Sequence, residues 1–499
     1  MTGHRQDGSR HGGARGGPRQ RTATAPSQRR RGADAARTAA FDALRAVAES
    51  DAYANLVLPP MLRDRGIRGR DAGFATELAY GTLRLRGRYD AVIARCAGRP
   101  LDQIDPPVLD ALRLGAHQLL GMRVPPHAAV SETVGLVREQ VGGGAAQFVN
   151  AVLRAVSRES LDTWLERVGD AADPAGTDAV ARLSVVESHP AWVTRALREA
   201  LVGNGRGADE LGDLLAADNA APRVSLVARP GLVEADELRE AAGPEATPGR
   251  WAPTAVTLSG GGDPAGLAAV RAGRAGVQDE GSQLVALALA AAPLDGPDAR
   301  WLDLCAGPGG KAALLGALAA EQGATLLANE VQPHRARLVR QAVAALPDGA
   351  VEDVRVGDGR ELGDAEPGAF DRVLLDAPCT GLGALRRRPE SRWRRTPADL
   401  ASLGALQRDL LASALRAVRV GGVVAYVTCS PVLAETQLAV VDARRAATKA
   451  GIGAEVLDAR AVVLGIAPDL DLPERPDVQL WPHVHGTDAM HLTLLRRTS

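Results

Sequence analysis

Trp301-Leu-Asp-Leu-Cys-Ala-Gly-Pro-Gly-Gly-Lys311 is the stretch whose reading decides the fold. Residues 301–304 form a short, largely apolar run that leads into a glycine-rich turn, and a helical pattern begins at Lys311 and continues to Glu321. A strand entering a helix through such a turn is the opening unit of a parallel, open sheet. Glycines in the turn let the backbone approach a ligand at the strand's carboxyl end. The turn is not a phosphate-binding P-loop, because Ala312 follows Lys311 and Cys305 stands where that motif needs Gly. It also lacks the full dinucleotide fingerprint.

Downstream the unit repeats. Strand candidates at 325–328, 354–356, 372–375 and 423–427 alternate with helical stretches at 311–321, 333–346 and 398–420, and 490–495 reads as a final strand. This alternation predicts an α/β, Rossmann-like, doubly wound domain over residues 291–499. Upstream the period is helical. Phe41, Leu44 and Val47 share one face, as do Leu109, Leu112 and Ala116, with breakers such as Pro59-Pro60 and Pro125-Pro126 between segments. An all-α domain is expected over 37–167. Residues 168–182 are rich in Gly, Asp and Ala and read as a linker, and 223–229 reads as a strand, so 168–290 is expected to hold that linker and a small α+β domain. Residues 1–36 carry Arg, Gly, Ser and Thr with almost no large apolar residue, the composition of a disordered tail.

Charge follows the same division. Residues 1–150 contain 22 Arg and 14 acids, a balance of +8, while the remaining 37 basic and 46 acidic residues give −9. A basic front joined to a mildly acidic rear fits a polyanion-binding module attached to something else. No run of about 18 uncharged apolar residues is present, which excludes a spanning helix. Four cysteines, Cys96, Cys305, Cys379 and Cys429, are spaced too irregularly for a disulfide framework or a zinc site, so a reduced, cytoplasmic setting with no metal is expected. His189, isolated before a proline, reads as a packing or capping residue.

Three acidic signals follow successive strands. Asp303 precedes the turn formed by Cys305, Ala306, Gly307, Pro308, Gly309 and Gly310; Glu330 closes the second strand; Asp358 follows the third. Glu330 is placed to accept from ribose hydroxyls and Asp358 to meet an adenine amino group. Without phosphate-binding features, the expected ligand is S-adenosyl-L-methionine, with Lys311 offsetting Asp303 or holding the ligand's carboxylate.

The fourth and fifth strands run into Asp376-Ala-Pro-Cys379 and Thr428-Cys429-Ser430. These strands are neighbours in the usual order of such sheets, and neighbouring strands lie ~5 Å apart. Both thiols should therefore emerge beside the ligand. C5 of cytosine is a poor nucleophile until a thiolate adds at C6, so thiols suit methylation at that carbon. Asp376 is placed to balance charge at the N3 edge.

These motifs, with Gln278-Asp-Glu-Gly-Ser-Gln283, resemble those of the Sun/Fmu-type 5-methylcytosine methyltransferases of the Nop2/Sun family, over about residues 37–499. The helical front resembles a NusB-type RNA-binding domain, nearest at Phe148-Val-Asn-Ala-Val-Leu-Arg154. The resemblance implies that Cys429 attacks C6, that Cys379 assists product release, and that residues 305–311, Glu330, Asp358 and Asp376 contact the cofactor. It implies small-subunit ribosomal RNA as substrate, with the cytosine single-stranded or flipped, and a monomeric enzyme. Gly307 departs from the family's usual Ala, and 486–490 lacks its paired aromatics. A tRNA cytosine methyltransferase and a non-enzymatic RNA-binding or antitermination factor are the alternatives. A DNA cytosine methyltransferase would place its nucleophile at Cys379, and an amino-directed enzyme would need no thiol. The basic stretch from Arg386 to Arg395 is expected to grip phosphates near the target, with Trp393 as an anchor.

Overall fold

The structure, a computed structural model, describes residues 34–50, 52–259 and 263–499. The tail expected over 1–36 therefore lies outside the described residues except at its end, where the first helix has already begun at Ala35. Asp34 starts that helix by accepting from the backbone N–H groups of Ala36 and Arg37.

The front of the chain is all helix, from Ala35–Glu49 to Leu161–Ala172. Its centre is the helix Pro106–Leu120, which buries every residue from Val108 to Gln118. A helix buried all round is wrapped by the others rather than lying at a surface. Cys96 sits half-buried at the margin of this core. The stretch 168–182 is not an extended linker. Helices Leu161–Ala172 and Ala179–Val186 occupy most of it, and the aspartates that suggested a linker are capping residues: Asp173 accepts from Thr177 N and Asp178 from Ala181 N.

A small antiparallel sheet follows, built from β1 (Val224–Ala228), β2 (Ala246–Pro248), β3 (Ala255–Leu258) and β4 (Ala275–Val277) in the order β2-β3-β1-β4. The helix Glu280–Ala291, apolar from Leu284 onward, is buried along Glu280 to Ala290 and packs on both the small sheet and the main one.

The main sheet contains β5 (Arg300–Asp303), β6 (Thr325–Glu330), β7 (Val351–Val356), β8 (Phe370–Asp376), β9 (Val418–Thr428), β10 (Ala454–Leu457), β11 (Val478–Gln479) and β12 (His491–Arg497). Its order is β10-β12-β9-β8-β5-β6-β7, with β11 paired to β12. Strands β5 to β9 are mutually parallel, while β12 pairs antiparallel with both β9 and β10. The near-continuous burial of β5, β6, β8 and β9 matches a parallel sheet covered on both faces. The carboxyl ends of β5, β6, β8 and β9 reach Asp303, Glu330, Asp376 and Thr428, so the residues singled out in the sequence gather along one rim.

Candidate active site

Parallel pairing of β8 with β9 brings Asp376 level with Val427. The loops beyond are then zipped by backbone bonds: Ala377 N–H donates to Val427 O, Gly383 N–H to Cys429 O, and Ala489 N–H to Gly383 O. Gly383 must be glycine, since a Cβ there would stand 2.4 Å from Ala489 O and 2.8 Å from Cys429 O. The outcome is that Cys379 Sγ and Cys429 Sγ are 3.4 Å apart although 50 positions separate them in sequence.

Their surroundings differ. Asp376 places negative charge on both sulfurs; Cys429 also faces the positive charges of Lys311 and Arg388, and Cys379 the further negative charge of Glu435. Either sulfur could donate in the contact between them, which together with burial holds the Cys379 thiol well above its usual range. The same contact lowers the Cys429 thiol below its usual value against the opposing effect of burial.

Lys311 Nζ donates to Asp376 Oδ2 at 2.8 Å. Burial works against the Lys311 ammonium, but Asp376 outweighs it and holds the group above its ordinary value. Asp303 is fully buried, and burial together with Asp376 pushes its carboxyl up to about 8. Lys311 thus bridges the glycine turn and the thiol rim in a single contact.

The turn itself is closed by Ala306 N–H donating to Asn329 O and Gly309 N–H to Ala306 O, with Pro308 between them. Gly309 has φ 111°, and a Cβ on it would stand 2.6 Å from Ala342 Cβ. Helix Gly310–Glu321 starts there with no side chain capping its first turn. Glu330 accepts from Gly307 N at 3.0 Å and from Gln332 N at 2.9 Å. A Cβ on Gly307 would come within 2.1 Å of Glu330 Oε2, so the glycine lets this carboxylate rest against the turn. Asp358 caps the helix Gly359–Ala365 through Arg360 N, and its ion pair with the Arg360 side chain draws its carboxyl below the usual value. Cys305 packs against the apolar cluster around Leu302 and Leu304 while its backbone lines the turn. Glu330, Asp358 and Asp376 are paired with Arg335, Arg360 and Lys311, and the glycines leave the backbone of the turn open, so the residues fit a ligand that carries charge of both signs. Among the described residues no group of His, Cys, Asp and Glu is arranged to hold a metal ion, and no helix is long and apolar enough to cross a membrane.

A family model described as 16S rRNA methyltransferase RsmB/F matches residues 288–496, and one described as the NusB family matches 34–158. The chain is 53% identical over 469 residues to a putative methyltransferase of Mycobacterium tuberculosis, covering 94% of this chain and 98% of the relative. It is 33% identical over 399 residues to the ribosomal RNA small subunit methyltransferase B of Pseudomonas putida, covering 79% of this chain and 85% of that protein. The chain belongs to the RsmB/F methyltransferase family. Its fold agrees with the crystal structure of PH0851, at a TM-score of 0.75 and 21% identity over 93% of this chain and 98% of that one.

Against this RsmB/F framework, the arginine-rich stretch corrects an expectation. Arg392 is fully buried and donates to Arg84 O, Ser188 O, Asp218 O and Asn219 Oδ1. Arg394 donates to Val47 O and Ala52 O, Arg388 stacks on Tyr53, and Arg387 pairs with Asp488. Trp393 fills the space beside Gly87, with Arg86 over its ring. Arg388, Arg392 and Arg394 fasten the helical front to the methyltransferase part and Arg387 pairs within that part, instead of standing free for phosphates, while Trp393 packs as the anchor expected. The physical reason is that carbonyls ending helices are strong acceptors for a guanidinium, and they come from segments distant in sequence.

Two further residues carry no motif in the sequence. Glu435, fully buried, accepts from Thr380 N at 2.7 Å, from Thr380 Oγ1 and from Gln407 Nε2, fixing the loop beside Cys379. Its signal was only an acid a few residues beyond Cys429. His189 is buried with Nδ1 at 2.6 Å from Glu187 O and Nε2 at 3.7 Å from Asp218, near Arg392 and within the junction.

Proposed function

We propose that this RsmB/F-family protein methylates C5 of a cytosine in small-subunit ribosomal RNA, with Cys429 as covalent nucleophile and S-adenosyl-L-methionine as methyl donor. The observation that carries this reading is the 3.4 Å approach of two unlike thiols beside the Lys311–Asp376 pair. Names of relatives such as the Pseudomonas putida enzyme supply the ribosomal substrate.

Residues 305–311, Glu330, Asp358 and Asp376 would hold the cofactor, which supplies an electrophilic methyl group. Cys429 thiolate forms a bond to C6 of the base, and the C5–C6 π pair shifts into the ring to make C5 an enamine carbon. Charge arriving at the N3 edge is met by the proton shared between Lys311 and Asp376. After methylation a water molecule takes the C5 proton, and the C5–H pair restores the C5–C6 double bond as the C6–S bond breaks with its pair returning to the Cys429 sulfur. The N3-edge proton goes back to the Lys311–Asp376 pair. Cys379, the protonated partner, stands beside that leaving sulfur and assists release. A stacked cytosine cannot reach Cys429, so the target is single-stranded or flipped.

Cys429 is favoured over Cys379 as the nucleophile because it faces Lys311 and Arg388, whereas Cys379 faces Glu435. The deciding experiment incubates Cys379→Ala and Cys429→Ala variants with ribosomal RNA and donor, then runs denaturing gels. Cys379→Ala should accumulate a protein–RNA adduct and Cys429→Ala should form none. The reverse pattern would exchange the two roles.

A further inference from the structure

The segment 278–283 joins the small sheet to the main one, and most of its polar side chains have a visible structural task. Asp279 caps the helix Glu280–Ala291 and accepts from Asp488 N. Glu280 accepts from Trp251 N and Ala252 N. Gln283 donates to Leu226 O and Gln278 O and accepts from Thr254 Oγ1. Gln278 is different. Its backbone is pinned on both sides, by Ser225 O and by Gln283 Nε2, and its side chain is 6% exposed. Yet neither its Nε2 nor its Oε1 has a hydrogen-bond partner among the described residues. A buried amide with both ends unmet is costly and calls for an explanation.

Its position supplies one. A Cβ on Gly310 would stand 3.9 Å from Gln278 Oε1. Gly310 begins a helix of 12 residues whose first turn has no side-chain cap. The start of a helix attracts a carboxylate, and an adjacent amide can both donate to that carboxylate and accept from an ammonium next to it. We infer that Gln278 holds the amino-acid end of the methyl donor, its Nε2 donating to the α-carboxylate and its Oε1 accepting from the α-ammonium. This rests on the S-adenosyl-L-methionine reading above. It makes Gln278 a ligand-binding residue that comes from outside the main sheet, so the small domain takes part in the site.

The test is calorimetric titration of the full chain with S-adenosylhomocysteine and with 5′-methylthioadenosine, which lacks the amino-acid end. Gln278→Met keeps the volume and removes both polar atoms, and Gln278→Glu keeps the acceptor but sets a charge against the carboxylate. Both variants should weaken S-adenosylhomocysteine by about tenfold or more, and change methylthioadenosine by less than about twofold. The ligand-free melting temperature of Gln278→Met should not fall, because the amide it loses has no partner to abandon. Equal weakening of both ligands, unchanged affinity for S-adenosylhomocysteine, or a fall in that melting temperature would each overturn the inference. Failure of the unmutated protein to bind S-adenosylhomocysteine would remove the donor reading itself, and this proposal with it.

Discussion

Two neighbouring parts of the chain, the thiol rim at Cys379 and Cys429 and the arginine-rich loop from Arg386 to Arg395, carry equally suggestive residues and have opposite histories. The rim is where sheet order dictates: β8 and β9 are parallel neighbours, and whatever follows them must emerge together. The loop obeys no such rule. Arg392 and Arg394 are spent on carbonyls of the helical front, Arg84 O, Val47 O and Ala52 O, and Arg386 and Arg387 on Asp488. Residue type is thus a guide to chemistry only where the backbone topology already fixes what the residue faces.

The sharpest way to break this contrast is at the rim. Cys429→Ala should lower methyl incorporation into ribosomal RNA by a factor on the order of 10^4, the scale seen when a covalent nucleophile is removed. A loss of only a few-fold in a labelled-methyl assay would return Cys429 to the status of a packing residue.

At the loop the expected effect is on folding. Arg392→Met leaves four buried acceptors without their donor and should cost about 3 kcal/mol or more in urea unfolding. The slope of RNA affinity against salt should stay as it was for Arg392→Met and for Arg394→Met. Were either slope to fall by about one, the side chain would be contacting phosphate after all.

A third prediction concerns pH. The Asp303 carboxyl rises from 3.8 to about 8 on folding, so between those values the folded chain binds more protons than the unfolded one. Asp303 therefore weakens the ligand-free fold progressively as pH rises from about 4 to about 8. Asp303→Asn should flatten that decline in melting temperature, and an unchanged slope would contradict it. The smallest effect is expected at Glu435. Glu435→Gln keeps an acceptor for Thr380 N but removes the charge that favours the Cys379 thiol, and alkylation at Cys379 relative to Cys429 should rise a few-fold by peptide mapping. A ratio that does not move would show that the loop's shape alone sets the asymmetry.

Period and punctuation are enough to read β5 to β9 and β12, because the alternation of apolar strand and helix is written locally. The antiparallel strand β10 was not legible, since the apolar residues of Ala454–Leu457 amount to one short turn of pattern. Among site residues, the two thiols, Asp376 and Lys311 stand in motifs whose chemistry is legible; Gln278 stands in a motif that shows no role for its side chain, and Glu435 in none.

By itself, then, the amino-acid order determined a helical front, a doubly wound sheet and a glycine turn with acids and thiols at successive strand ends, since each follows from short-range periodicity and from the fixed geometry of parallel strands. Only the tertiary structure decided which thiol faces Lys311, which arginines are consumed in joining the domains, and which buried amide is left without a partner. Those depend on hydrogen bonds and electric fields between groups hundreds of residues apart, and no local pattern encodes the distance between them.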